Sequence, residues 1–319
     1  MISIEHATKR YGNKYAVNDV SFTIQKGEIV GFLGRNGAGK TTTMNMVTGY
    51  ISSSSGKITV DGYDILTQPL EVKRRIGYLP EQPPLYLDMT VDEYLEFVCR
   101  IKHVARPQWK KHLGRICEMV RITDVRHRLI KNLSKGYRQR VGLSQALIGS
   151  PDVLIMDEPT VGLDPRQIIE IRSLIKDLGK EHTVVLSSHI LHEVADVCER
   201  VVIIDKGKLV AQDTLENLTR RVGDSNRLSL RVDGPESEIK AALKQLDGVA
   251  YVEAQGMREP GTCDFVLECD KEIDARRSVF ALMSDAKWPL LQMRSMDMTL
   301  EDIFIQLTTD GDSREDVDE

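Results

Sequence analysis

The sequence contains no long hydrophobic run. Hydrophobic residues make up 41% of the 319 residues and charged residues 29%, the balance of an ordinary globular protein. No apolar stretch approaches the roughly 20 residues that a membrane-spanning helix needs. The first residues, Met1 to Glu5, also lack the charged and apolar segments of a secretion signal. These absences predict a cytoplasmic protein without a membrane span of its own.

Paired cysteines and a basic surface are missing as well. The five cysteines have no C-x-x-C spacing and their number is odd, which argues against a disulfide framework and a cysteine metal site. The last ten residues, 310–319, carry six acids and one arginine, which account for the whole net charge of −5. We predict that this tail is disordered. The neutral remainder lacks the basic stripe of a nucleic-acid binder, so we predict no nucleic-acid partner.

What the sequence does contain is a glycine-rich loop that fits the phosphate-binding pattern G-x-x-x-x-G-K-[ST]. Residues 28–33 predict a buried strand before the loop, and residues 42–47 predict a helix after it. Glycines let backbone N–H groups converge on one point, and the helix N-terminus adds about half a positive charge there. The pattern assigns Lys40 to the β- and γ-phosphates and the Thr41 hydroxyl to Mg²⁺. The loop residues predicted to bind the nucleotide are Gly34, Arg35, Asn36, Gly37, Ala38, Gly39, Lys40, Thr41 and Thr42.

Two acids follow a second buried strand. The apolar residues Val153–Met156 lead directly into Asp157 and Glu158. The first carboxylate can order Mg²⁺ through water, as phosphoryl-transfer sites require. The second can polarise an attacking water. We therefore predict a hydrolytic centre at the end of this strand.

Two further polar motifs lie at the ends of predicted elements. Ser134 is a suitable N-cap for the helix that begins within Leu133–Arg140, and such a helix end can bind an anion. His189 follows the predicted strand Thr183–Ser187, where α/β sheets present polar groups to ligands. A single histidine is more often structural, and its place at a strand end is what favours a functional one.

The order of elements predicts two domains. Up to residue 215, strands alternate with helical patterns, which predicts an α/β fold with a mainly parallel sheet covered on both faces. An antiparallel β subdomain begins this domain, and a helical subdomain occupies about 88–150. Residues 216–309 have the order β-α-β-β-α-β of a small ferredoxin-like α+β domain, followed by a helical pattern at 299–307.

Together the motifs of residues 1–215 resemble the ATP-binding subunit of ABC transporters, a P-loop NTPase family. In that comparison the Walker A motif is Gly34–Thr42, Walker B is Val153–Glu158, the signature is Leu133–Tyr137, the D-loop is Gly162–Asp164, and the switch histidine is His189. Tyr11 resembles the aromatic residue that stacks on adenine.

The resemblance implies ATP hydrolysis by a head-to-tail dimer. Each ATP lies between the Walker A motif of one subunit and the signature of the other. Ser134 and Gly136 would contact the γ-phosphate bound by the partner subunit. Glu158 would be the general base and His189 would hold the transition state.

The Q-loop departs from the family pattern. Glu81 takes the position of the usual glutamine, where its carboxylate would join Thr41 and Asp157 as a Mg²⁺ ligand and take part in catalysis. Gln82 is the alternative for this position.

The signature also departs from L-S-G-G-Q, with Lys135 for the first glycine and Tyr137 for the glutamine. This signature and the closing segment Leu300–Phe304 are similar to the ABC-2 export branch, which includes gliding-motility-associated and multidrug-type subunits. The resemblance implies a homodimer that drives a separate ABC-2-type permease from the inner face of the cell membrane. Glu81–Phe97 and the helical block would contact that permease.

Two other function classes fit less well. A soluble ABC ATPase acting on ribosomes or DNA would show a second cassette or a long coiled-coil insertion. A P-loop kinase or GTPase would lack the signature, the D-loop and the histidine.

Overall fold

The computed structural model describes residues 1–222, 225–257, 259–270, 273–296 and 304. It divides into two compact units, and the division falls between Leu215 and Glu216. The predicted tail 310–319 and, apart from Phe304, the predicted helix 299–307 lie outside the described residues. Within the described part of the chain, no helix is both long and apolar enough to cross a membrane.

The first unit combines two sheets with seven α-helices among its described residues, besides three short 3-10 helices. Its strands are β1 (Ile2–Tyr11), β2 (Lys14–Ile24), β3 (Ile29–Leu33), β4 (Ser55–Val60), β5 (Tyr63–Asp64), β6 (Ile76–Leu79), β7 (Val153–Asp157), β8 (Thr183–Ser188), β9 (Arg200–Asp205) and β10 (Lys208–Thr214). Its helices are α1 (Lys40–Val47), α2 (Pro69–Arg75), α3 (Val91–Ile101), α4 (Trp109–Met119), α5 (Lys135–Leu147), α6 (Pro165–Gly179) and α7 (Leu191–Ala195).

The central sheet brings the ends of three strands to one edge. Its order is β10-β9-β3-β8-β7-β6, and all neighbouring pairs are parallel except β10 with β9. In the register, Leu33 lies opposite Ser188, and Asp157 lies opposite Ser187. The segments that follow β3, β7 and β8 therefore emerge side by side, as the carboxyl ends of parallel strands do.

The second sheet is antiparallel, with the order β2-β1-β4-β5. Its apolar face shares one core with β3 and β7 of the central sheet. Phe22 and Phe32, one from each sheet, lie with their ring centroids 5.6 Å apart.

The helices α3, α4 and α5 form the helical block. Thr90 and Glu93 make a capping box at the start of α3, which satisfies free N–H groups of the first turn. Apolar residues that recur at helical spacing in the sequence are buried here; they are Val91, Tyr94, Leu95, Val98, Leu113, Ile116, Cys117 and Val120.

The second unit begins with α8 (Leu215–Val222), whose first residue ends the first unit. The elements that follow are β11 (Ser225–Asp233), α9 (Glu236–Leu243), β12 (Val249–Gly256), β13 (Thr262–Asp270), α10 (Ala275–Asp285) and β14 (Leu290–Met296). The strands form an antiparallel sheet in the order β12-β13-β11-β14. This order confirms the ferredoxin-like fold, and the unit has its own core around Phe265 and Leu267.

The sequence did not predict α2, α8 or β10. Helix α2 buries one residue, Val72, so it carries no apolar stripe that periodicity could detect. Strand β10 pairs antiparallel to β9 at the sheet edge and is mostly half-buried or exposed. The five cysteines are free and buried.

Candidate functional site

The glycine-rich loop wraps around the ammonium group of Lys40. The Lys40 Nζ donates hydrogen bonds to the carbonyl oxygens of Gly34, at 2.7 Å, and Arg35, at 3.4 Å. Gly37 and Gly39 have φ values of 83° and 107°, a region that L-residues with a Cβ rarely adopt. Helix α1 starts directly at Lys40, so its free N–H groups face the loop.

The loop is tightly enclosed by neighbouring backbone. A Cβ added to Gly34 would lie 2.4 Å from the carbonyl oxygen of Ile204, and one added to Gly39 would lie 2.5 Å from that of Ala16. Larger residues at these two positions would therefore displace the loop from β2 and β9.

Strand β7 ends at Asp157, the first of the two acids that the sequence singled out, and Glu158 follows it directly. Asp157 is buried, and its Oδ1 accepts a hydrogen bond from the hydroxyl of Ser187 on β8. Glu158 has a φ of 49°, a left-handed conformation that costs a non-glycine residue roughly 1–2 kcal/mol. Its N–H donates to Ser187 Oγ at 3.1 Å, so one serine hydroxyl holds both acids.

The Glu158 carboxylate lies between two basic groups. Its Oε1 is 3.6 Å from the Lys40 Nζ, and its Oε2 is 2.8 Å from Nδ1 of His189. The side chain of Glu158 is 10% exposed and that of His189 is 42% exposed. When Nδ1 carries the proton it donates to the carboxylate, which leaves Nε2 facing away from Glu158.

A cavity of about 530 Å³ lies over the loop and these acids, within the size range of small-molecule sites. Glu81 is part of its wall, whereas Gln82 is not. The residues that line it are Ala16, Arg35, Asn36, Gly37, Gly39, Lys40, Thr41, Thr42, Glu81, Glu158, Val161 and His189. We call it the phosphate cavity.

A second cavity of about 680 Å³ adjoins it and extends toward the helical block. Thr41 and Glu81 line both cavities, and Asp157 and Gln82 line the second. The rest of its wall comes from α1, α2, β6 and α5 and from residues that follow α1, β6 and α3. It includes Tyr50, Lys73, Tyr78, Lys102 and Gln145. We call it the lateral cavity.

Two side chains of the lateral cavity have shifted pKa values. Burial lowers the pKa of Lys102 to about 8, while its Nζ donates to the carbonyl oxygens of Ala146 and Ile148 at the end of α5. Burial raises the pKa of Tyr78 to about 12, and its hydroxyl donates to Asn45 at 3.3 Å.

The signature residues begin α5 and do not line the phosphate cavity of their own chain. Ser134 is the N-cap, and its Oγ accepts from the N–H of Tyr137 at 3.4 Å. The Tyr137 hydroxyl donates to Asp124 at 3.0 Å, and this bond raises its pKa. A Cβ on Gly136 would lie 2.6 Å from the side-chain oxygen of Gln167, so α6 packs closely on this glycine.

Tyr11 lies at the end of β1 with its side chain 54% exposed. It is not part of the phosphate-cavity wall, and the Lys9 ammonium lies 5.3 Å from its ring centroid. Stacking on adenine stays a prediction for this residue, as do the phosphate contacts of Ser134 and Gly136.

Ala16 and Val161 were not singled out from the sequence, and Ser187 was noted only as part of the polar motif that ends in His189. Ala16 and Val161 line the cavity, and Ser187 joins the two acids. Ser187 follows the apolar residues of β8 and begins the polar end of that strand, which is a signal that the sequence does carry. Ala16 and Val161 have no such signal, because alanine and valine are common in any strand or loop.

Comparisons with known proteins agree on one family. The sequence model described as ABC transporter matches residues 17–161. The linearmycin resistance ATP-binding protein LnrL of Bacillus subtilis (strain 168) is 34% identical over 97% of this chain and 98% of its own length. The bacitracin transport ATP-binding protein BcrA of Bacillus licheniformis is 38% identical over 98% of each chain. A bacterial ABC transporter cassette solved as a dimer has a TM-score of 0.61 and 26% identity over 67% of this chain and 99% of its own.

Proposed function

This chain belongs to the ATP-binding subunits of ABC transporters, and we propose that its permease partner is of the ABC-2 export type. As a member of this family it binds and hydrolyses ATP, dimerises and works with a membrane-spanning permease. The observation that carries the export proposal is similarity over nearly the whole chain, including the second unit, to LnrL and BcrA. By their names, these relatives serve linearmycin resistance and bacitracin transport.

The phosphate cavity supports a division of roles in hydrolysis. The Lys40 ammonium and the loop N–H groups would bind the β- and γ-phosphates. Glu158 would accept the proton of the attacking water. His189, bonded to Glu158 at 2.8 Å, would orient this carboxylate and face the γ-phosphate with its other nitrogen. Tyr11 would stack on the adenine ring.

Mg²⁺ is the metal that this set of side chains fits. The Thr41 hydroxyl and the Glu81 carboxylate line the phosphate cavity, and Asp157 lies at the end of the adjacent strand. All three offer oxygen atoms, the donors that Mg²⁺ prefers alongside phosphate oxygens and water. Bound there, Mg²⁺ would neutralise charge on the phosphates during transfer.

The start of α5 would complete the site of the second subunit. Ser134 is exposed at this helix end, where its hydroxyl and the neighbouring N–H groups can meet a phosphate. Gly136 would allow the close approach of the partner's nucleotide. The nucleotide would then join the two subunits, and hydrolysis would release them.

The lateral cavity supports the proposal of a permease contact. It lies beside Glu81, and the loop that leads from Glu81 into α3 carries Tyr86, which is 53% exposed and packs on Tyr94 and Phe97. Tyr50, which also lines this cavity, is 80% exposed. Exposed aromatic side chains around a concave site suit the burial of a helix from a partner. Through this contact the protein would be held on the cytoplasmic face of the membrane.

The test is affinity purification of the full chain from detergent-solubilised membranes of its native cell. We expect a multi-helix membrane protein of the ABC-2 type to co-purify and to stimulate ATP hydrolysis. Lys40→Ala serves as the control bait, since it should retain the permease while the purified complex loses ATPase activity. Recovery of the chain alone or with ribosomes, or with a permease of another type, would refute the proposal.

A further inference from the structure

We propose that Glu193 is a positioning residue for Glu158 and that it acts through Thr160. This inference deepens the proposed function and rests on the role of Glu158 as general base. Glu193 lies on α7, outside the wall of the phosphate cavity and outside the Walker A, Walker B, signature and D-loop motifs.

The contact between the two residues is short and buried. Oγ1 of Thr160 donates a hydrogen bond to Oε2 of Glu193 at 2.5 Å. Both residues are 5% exposed. In the described part of the chain this is the one hydrogen bond of the Glu193 side chain. Burying a carboxyl group with a single partner is unfavourable for folding, so packing alone is a poor reason for a glutamate here.

Glu193 stands on a rigid support. The next residue, Val194, is fully buried and packs on Gly31 of β3. A Cβ on Gly31 would lie 2.1 Å from Cγ1 of Val194, so no side chain fits between α7 and this strand. Strand β3 leads directly into the phosphate loop, so the helix that carries Glu193 is packed on the strand that carries this loop.

Thr160 belongs to the turn that sets the backbone of Glu158. The N–H of Val161 donates to the carbonyl oxygen of Glu158 at 3.2 Å, and the N–H of Leu163 donates to that of Thr160 at 3.2 Å. This turn follows the left-handed backbone at Glu158, a conformation that persists only where the surroundings enforce it. The hydrogen bond from Thr160 to Glu193 restrains the chain two residues after Glu158 and so helps to hold that backbone conformation.

The same two chain segments are also joined at the catalytic end. His189 bonds to Glu158, and it is followed by Ile190, whose N–H donates to Ser188 Oγ at 3.0 Å before α7 begins. Glu158–His189 and Thr160–Glu193 are thus two parallel ties between the turn after β7 and the segment after β8. The residues of the first tie line the phosphate cavity, and His189 is partly exposed there, whereas the residues of the second are buried and do not line that cavity.

The test compares Thr160→Val, which removes the hydroxyl and keeps the side-chain shape, with Thr160→Ser, which restores the donor. We expect Thr160→Val to lower kcat between about 10- and 100-fold, a part of the 10²–10⁴ that a general base contributes. The Kd for ATP should stay within about twofold of the wild type, because Lys40 and the loop are untouched. Thr160→Ser should recover most of the lost kcat.

The control is Thr183→Val, which removes another buried threonine hydroxyl, the acceptor of the Gly27 N–H at 2.9 Å. It should lower the Tm without changing kcat. A fall in kcat for Thr183→Val equal to that for Thr160→Val, or wild-type kcat in Thr160→Val, would overturn the inference.

A double-mutant cycle separates positioning from a general loss of structure. In a Glu158→Gln background, Thr160→Val should cause no further loss, since the group that it positions is already absent. An equal fold-loss in both backgrounds overturns the role of Glu193. If Glu158→Gln alone hydrolyses ATP at the wild-type rate, it is the proposed role of Glu158 that fails.

Discussion

Glu158 has a backbone conformation that glutamate rarely adopts. Its φ of 49° carries a cost of roughly 1–2 kcal/mol, and the two bonds from its N–H to Ser187 help to offset it. The same conformation directs its carboxylate toward His189 and Lys40. Backbone strain of this kind is concentrated at functional sites, which agrees with a catalytic role for this residue.

Replacing Glu158 by glutamine should separate binding from hydrolysis. The amide keeps the size of the side chain and can still bond to His189, but it cannot accept the proton of water. We expect hydrolysis to fall by about 10²–10⁴ while ATP binding persists and a nucleotide-bound dimer accumulates. Size-exclusion chromatography with and without ATP, together with single-turnover hydrolysis, measures both effects.

The matched control is Glu181→Gln, which changes an exposed glutamate paired with Arg115. It should hydrolyse ATP normally and form no lasting dimer. Absence of an ATP-dependent dimer in Glu158→Gln would count against the division between binding and catalysis.

Individual residues differ in how far the sequence reveals them. Lys40, Glu158 and His189 were predicted from motifs, because each follows a strand whose apolar run is visible in the sequence. The contacts between them were not predictable, since they depend on the pairing of β7 with β8 and β3 with β8. The contacts of Ser187 and Glu193 with residues after β7 depend on the same strand pairings, so they were not predictable either.

At the scale of elements, helix α5 joins the signature to the loop that carries Glu81. A Cβ on Gly142 would lie 2.6 Å from Cγ of Pro83 and 2.9 Å from Cδ1 of Leu79. The absence of a side chain at this position lets the helix rest on that loop. In α4, by contrast, a Cβ on Gly114 would have no neighbouring atom within 4 Å.

These two helical glycines should respond to alanine in opposite directions. Gly142→Ala should lower the free energy of unfolding by about 1–3 kcal/mol, because the methyl group overpacks the contact with Pro83. Gly114→Ala should raise it by about 0.5–1 kcal/mol through helix propensity. Denaturant unfolding of both variants measures the difference, and a shift of the same sign in both would contradict this packing.

Elements were predictable where an apolar stripe or run is long. The block α3 to α5 and the strands β3, β7 and β8 bury most of their apolar residues, so that their pattern matches their environment. Helix α2 buries only Val72, and β10 is a half-buried or exposed strand at the edge of the sheet. Neither element therefore has an apolar pattern by which the sequence could predict it.

At the scale of the molecule, the two units have separate hydrophobic cores. The core of the first includes Phe22 and Phe32, and that of the second includes Phe265 and Leu267. The residues that line the phosphate cavity all lie before Leu215. Nucleotide binding should therefore depend on the first unit alone.

Deletion of residues 216–319 should leave the affinity for ATP within about twofold of the full chain, a difference of less than 0.5 kcal/mol. Isothermal titration of the truncated protein with ATP gives the Kd, and circular dichroism confirms that it is folded. A folded truncate that fails to bind ATP would show that the second unit contributes to the site.

Thr41 and Glu81 are walls that the phosphate cavity and the lateral cavity have in common. A nucleotide in the phosphate cavity and a partner segment in the lateral cavity would contact the same two side chains. Coupling between the two bound molecules would therefore need no conformational change elsewhere in the fold. This coupling is reciprocal. If bound nucleotide changes the affinity for a partner in the lateral cavity by some factor, the bound partner changes the affinity for the nucleotide by the same factor. A permease bound at the lateral cavity would therefore change the affinity for ATP by the same factor as ATP changes the affinity for the permease.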